Sequence, residues 1–164
     1  MRRSLSFAAV LSMVIPTVAA QGQTALNTSW KCSTVEPVNA VPVAGQAGHA
    51  YSIYQVKCTA TKGQIAGVKD RSGTATEFAD VNGTSHKGHG IYVETLANGD
   101  MITYDYQFTA TVENKIAQSA SNTWTMLSGT GKMKGITGSG SCKGKGNADA
   151  PLSLDCTGNY TVAK

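Results

Sequence analysis

Charge is scarce in this sequence. Asp, Glu, Lys and Arg make up 15% of it and the formal net charge is +4, too mild a balance to mark a nucleic-acid or anionic-membrane partner. Aromatic residues are few at 7%, so there is no row of rings to serve as a stacking platform for single strands, and Trp30 and Trp124 read as core. No segment carries a helical hydrophobic period, and the one apolar run, residues 7–15, is too short to span a bilayer. Several motifs are also missing. There is no Cys-x-x-Cys, no Gly-x-Ser-x-Gly and no Gly-x-x-x-x-Gly-Lys-Ser/Thr, so neither a zinc knuckle, a nucleophile elbow nor a phosphate loop is encoded, and no cofactor is expected.

What is present begins with a targeting signal. Arg2 and Arg3 precede the apolar run, which ends in Pro16 and the small residues Val18-Ala19-Ala20. That order predicts a secretory signal peptide over residues 1–20, cleaved after Ala20, and a secreted or periplasmic protein starting at Gln21. Ser4-Leu5-Ser6 lacks the Phe-Leu-Lys of a twin-arginine signal. Removing 20 of the 164 residues leaves 144, one domain over 21–164 with a single core. Two of the fourteen basic residues leave with the segment, so 12 face 10 acidic ones and the mature charge is +2.

Four cysteines in an exported chain point to disulfides. Of three possible pairings, Cys32–Cys58 and Cys142–Cys156 join residues separated by one turn-rich connection, which places each pair across neighbouring antiparallel strands.

Gly, Pro or Asn punctuates the chain every eight to fifteen residues, and the segments between are rich in Thr, Val, Ile and Tyr. This predicts an all-β fold with strands at 28–34, 50–60, 64–69, 74–81, 90–97, 100–112, 122–130, 133–143 and 154–162. Residues 37–48 read as a long loop, and 113–121 as a polar connection with room for one helical turn. Asn98-Gly99 predicts a two-residue type I′ hairpin. Its register sets Val93 against Tyr104, Ile91 against Tyr106 and His89 against Phe108, with Ile91, Val93, Ile102, Tyr104, Tyr106 and Phe108 on one face and Tyr92, Glu94 and Asp105 on the other. Pairing Cys142 with Cys156 sets Gly140 against Gly158 and Gly138 against Tyr160. Leu154, Cys156, Gly158, Tyr160 and Val162 then face inward, and pairing the last strand to the first closes the sheet.

Residues 129–146 hold seven glycines separated mostly by Lys, Met, Ile, Thr or Ser, the pattern of a close-packed, sharply bent strand whose glycines leave room for a neighbour's ring. Within them, Gly129-Thr130-Gly131-Lys132-Met133-Lys134-Gly135-Ile136-Thr137-Gly138 resembles the late-barrel segment of the dirigent and allene oxide cyclase superfamily, and also a group of small secreted bacterial proteins that share that barrel. The likeness covers residues 124–160. It implies a single antiparallel up-and-down β-barrel of about eight to nine strands, calycin-like in shape. It also implies a cofactor-free cyclase or isomerase as one possible activity.

Few residues could carry chemistry. His86 and His89 have a His-x-x-His spacing, but residues three apart in extended chain point to opposite faces, so no metal is expected. Asp105 alternates away from Tyr104 and Tyr106, and Lys132, Lys134, Lys143 and Lys145 read as strand-edge charges that oppose aggregation. The expected site is the inward row His89, Ile91, Val93, Tyr104, Tyr106 and Phe108, apolar with phenols and an imidazole at one end, suited to a small apolar or phenolic ligand. A buried carboxylate or histidine in that pocket would favour an enzyme, an apolar cavity without one a carrier, and a filled barrel with an exposed apolar patch a protein-binding module.

Overall fold

The computed structural model describes residues 22–163, with only the backbone described for 35–37. The expected signal peptide and the Gln21 terminus lie outside the described residues. Nine strands follow in order: β1 (Thr24–Pro42), β2 (His49–Lys62), β3 (Gln64–Ile65), β4 (Val68–Asn82), β5 (Ser85–Leu96), β6 (Met101–Glu113), β7 (Ile116–Gly129), β8 (Thr137–Lys145) and β9 (Leu152–Thr161). A 3-10 turn, Gly131–Met133, precedes β8. Among the described residues no helix is long and apolar enough to cross a membrane.

Eight strands close into a ring. Each pairs antiparallel with the next in the order β1-β2-β4-β5-β6-β7-β8-β9, and β9 pairs back onto β1 from Thr24↔Tyr160 to Cys32↔Leu152. The short β3 hairpins onto β4 outside this ring. The fold is therefore an antiparallel up-and-down barrel, and closure leaves no free edge in the main sheet.

Both disulfides lie between directly opposed residues, Cys32–Cys58 across β1 and β2 and Cys142–Cys156 across β8 and β9. They fit an oxidising environment. The Cys142–Cys156 register also sets Gly140 opposite Gly158 and Gly138 opposite Tyr160. The ring that uses this space belongs to Trp124 of β7. A Cβ on Gly140 would stand 2.3 Å from Trp124 Cζ2, and one on Gly158 2.6 Å from it.

Four segments depart from the sequence reading. The loop expected at 37–48 is strand as far as Pro42, because β1 resumes pairing at Asn39↔Ile53 after a register shift beyond Val35. The strand expected at 64–69 is a tight hairpin, turning at Ala66 and Gly67, both at positive φ. The connection expected at 113–121 shrinks to Asn114 and Lys115, both at positive φ, and Ile116 already opens β7. Residues 133–136 are turn rather than strand; Met133 and Ile136 are fully buried there, where they cap one end of the barrel with Ile65, Leu96 and Ile102.

The β5–β6 hairpin carries the correction with most consequence. Only Gly99 takes positive φ, Gly99 N–H donates to Leu96 O and Leu96 N–H donates to Asp100 O. This is a three-residue loop in which a type I turn is followed by glycine, not a two-residue type I′ turn. Asn98 favours it, since its Oδ1 accepts from Asp100 N–H. The register moves by one residue, giving Tyr92↔Tyr104, Gly90↔Tyr106 and Gly88↔Phe108. A slip of one reverses every side chain of β5. Ile91 and Val93 are consequently on the outer surface, 41% and 37% exposed, and His89 is exposed against Phe78, while Tyr92 and Glu94 turn inward.

Candidate ligand-binding site

The barrel interior is not filled. A cavity of about 550 Å³ runs along it, within the usual range of small-molecule sites. Its deep end abuts the plug of Ile65, Leu96, Ile102, Met133 and Ile136. Its mouth lies at the opposite strand ends, where Val38, Val81, His86, Val112 and Lys115 line it.

Most of the wall is apolar or aromatic. Trp30 meets Tyr92 edge-on at 5.7 Å, Tyr92 lies 5.9 Å from Tyr104, and Tyr104 meets Trp124 edge-on at 5.7 Å, a continuous belt of four rings that reaches from β1 across the interior to β5 and on to β6 and β7. The trimmed side chains of Gly140 and Gly158 seat the last of these.

Two tyrosine–carboxyl pairs interrupt this wall. Tyr104 Oη donates to Glu94 Oε2 at 2.6 Å, and Tyr106 Oη donates to Glu77 Oε1. Gly90 makes the second pair possible: Tyr106 faces it across the β5–β6 ladder, and its hydroxyl would lie 3.0 Å from a Cβ there. The phenol thus passes over β5 to reach β4. Tyr54 on β2 hydrogen-bonds Glu77 as well.

Asp70 joins Glu94 from behind. A register shift between Asp70 and Ser72 puts an extra residue into β4, so that Asp70 turns inward although Gly73, Ala75 and Glu77 set the inward phase beyond it. Burial, then the charge of Asp70, push the Glu94 carboxyl up to about 8 against the opposing Tyr104 hydrogen bond. Burial likewise raises Asp70 to about 6, and it raises Glu77 despite the hydrogen bonds from Tyr106 and Tyr54. Two carboxyls this close hold one proton between them near neutrality. At the mouth, burial lowers the His86 imidazole.

Of the expected site residues, Tyr104, Tyr106 and Phe108 line the cavity. Ile91, Val93 and His89 face outward; His89 instead borders a shallow outer groove with Tyr51 and Phe78. Cys32, Cys58, Cys142 and Cys156 line the cavity as well, through their disulfides. Sequence reading missed Tyr54, Asp70, Glu77, Tyr92 and Glu94. The signal for two of them was Gly90, which fits opposite Tyr106 and carries Tyr92 and Glu94 in phase with it.

No family model matches the chain, and no curated protein matches it. A solved dirigent protein is similar. The pterocarpan synthase dirigent protein GePTS1 aligns with 96% of this chain and 100% of its own, at 11% identity and a TM-score of 0.49. That likeness concerns the fold alone, and the barrel described above stands on its own strand pairings.

Proposed function

We propose that this chain is a barrel that binds one small, largely apolar molecule, taken in at the mouth and oriented at depth by the tyrosine–carboxyl pairs. The observation that supports this most is the cavity itself: about 550 Å³, walled by the belt Trp30, Tyr92, Tyr104 and Trp124, with few polar groups converging on it. Tyr104, Tyr106 and Phe108 are the proposed contacts on β6. A filled core would instead favour a protein-binding module, for which the exposed Tyr51, Ile53 and Phe78 would be the surface.

Glu94 favours a second reading, a cofactor-free cyclase or isomerase. A carboxyl raised to about 8 keeps its proton at neutral pH, and in an apolar pocket it is placed to protonate a bound carbonyl or alkene, with Tyr104 holding its other oxygen. The walls would fold the substrate by shape.

Titration of small phenols and aromatic hydrocarbons into wild type and Tyr106→Ala, followed by tryptophan fluorescence, tests the binding proposal. Saturable one-to-one binding, weakened on truncation, is expected. Absence of binding, with Tyr106→Ala costing about 3 kcal/mol or more of stability as a core truncation does, would overturn it.

A further inference from the structure

The polar groups at the deep end do not satisfy one another. Glu94 is 2% exposed and lines the cavity, yet its Oε1 has no hydrogen-bond donor. Both Asp70 carboxyl oxygens and Tyr92 Oη lack partners as well. A proton shared between the two carboxyls engages one oxygen of each and leaves the third without a donor, and a buried acceptor left so is costly.

The charges are equally one-sided. Glu94 is faced by Asp70 from β4, by Tyr104 from β6 and by Tyr92 from its own strand. Glu77, between Tyr54 and Tyr106, adds a further acid to the wall. Among the described residues that line the cavity, the basic ones are His86 and Lys115, both at the mouth. The interior is thus a set of acids enclosed by aromatic faces with no cation among them.

Resting on the pocket reading above, we propose that the ligand carries a positively charged amine, whose ammonium group seats at Glu94 within the belt Trp30, Tyr92, Tyr104 and Trp124. An ammonium brings up to three N–H donors, enough for Glu94 Oε1 and the unpartnered Tyr92 Oη beside it on the cavity wall, where an alcohol brings one and a carbonyl none. The ring faces add attraction for a desolvated cation. Anionic ligands are repelled by the same acids.

Seating is an exchange in which the ammonium enters and the carboxyl pair releases its proton, so the charge of the site is conserved. Below about 8 Glu94 holds a proton that the ligand must displace, and affinity therefore rises with pH by up to about tenfold per unit. A simple alkylammonium stays charged throughout, with a pKa close to the ~10.4 of lysine.

Calorimetric titration with 2-phenylethylammonium and the near-isosteric 2-phenylethanol, in two buffers of different protonation enthalpy, tests this. The ammonium is expected to bind about tenfold or more tighter than the alcohol near pH 8, to weaken by about fivefold near pH 7, and to release about half a proton at pH 8 and close to one at pH 7. Glu94→Gln should remove most of that preference and the proton release. The wild-type measurements decide without any variant, should Glu94→Gln fail to fold. Equal affinity for the two probes, or ammonium binding independent of pH, overturns the inference. Binding of the alcohol alone overturns it and leaves the pocket reading intact; binding of neither probe overturns both.

Discussion

Glu94, Asp70 and Glu77 hold their protons more tightly in the folded barrel than in free chain, because removal from water outweighs the hydrogen bonds that Tyr104, Tyr106 and Tyr54 offer. The neutral acids are thus favoured by folding. Their contribution to stability is full below the ordinary value of 4.5 for Glu and is lost as pH rises toward the folded value of about 8. His86, lowered by burial, acts in the opposite sense, with a contribution present above its ordinary value of 6.5 and lost as pH falls. The acids are therefore isolated between about pH 6.5 and 8.5, where the melting temperature should fall by roughly 5 °C in wild type. Glu94→Gln should flatten that slope; an unchanged slope in the variant would place the titration elsewhere. These residues were hard to read because alternation cannot tell which face of β5 is inner: Ile91 and Val93 look like core, and Tyr92 and Glu94 look like surface. Only the loop geometry decides it, and Asn98-Gly99 suits two hairpin types.

At the scale of the strands, glycine decides the packing. Gly140 and Gly158 face each other across β8 and β9 and leave a slot into which the edge of Trp124 fits. Gly140→Ala would set a methyl 2.3 Å from Trp124 Cζ2 and 2.2 Å from Thr157 O, so the variant should lose about 1–3 kcal/mol by overpacking and show altered tryptophan emission. Unchanged stability in chemical denaturation would mean that the slot is looser than described. This part of the fold was legible. The Cys142–Cys156 spacing fixes one register, that register brings the glycines together, and glycines two apart on one face ask for a ring. The bends were less so. The β4 shift that turns Asp70 inward follows from pairing with β5, and nothing within residues 68–73 announces it. Pro37 and Pro42 suggested a loop, yet β1 continues past the first and ends on the second.

For the whole molecule, the strand that must return to close the ring is β9, and the two disulfides stand on either side of its seam with β1. Cys32–Cys58 ties β1 to β2, and Cys142–Cys156 ties β9 to β8. A bridge closing a loop of 14 residues contributes about 3 kcal/mol, so Cys142→Ala should lower the melting temperature by roughly 10 °C. Four alkylatable thiols in protein matured under oxidising conditions would contradict the pairing. Export is checked separately: intact mass of the secreted chain should match a start at Gln21, and retention of Met1 would remove the proposal of a cleaved signal. Closure and both bridges could be read from strand count and cysteine spacing. Whether the barrel is hollow could not, since the same aromatic residues fill one core or wall another depending on which face of β5 they meet. A crystal pressurised with xenon addresses that question most directly, because xenon enters apolar cavities that water leaves dry. Xenon density is predicted inside the barrel, bounded by Trp30, Tyr54, Tyr92 and Trp124; an interior without density, its rings packed against one another, would contradict it.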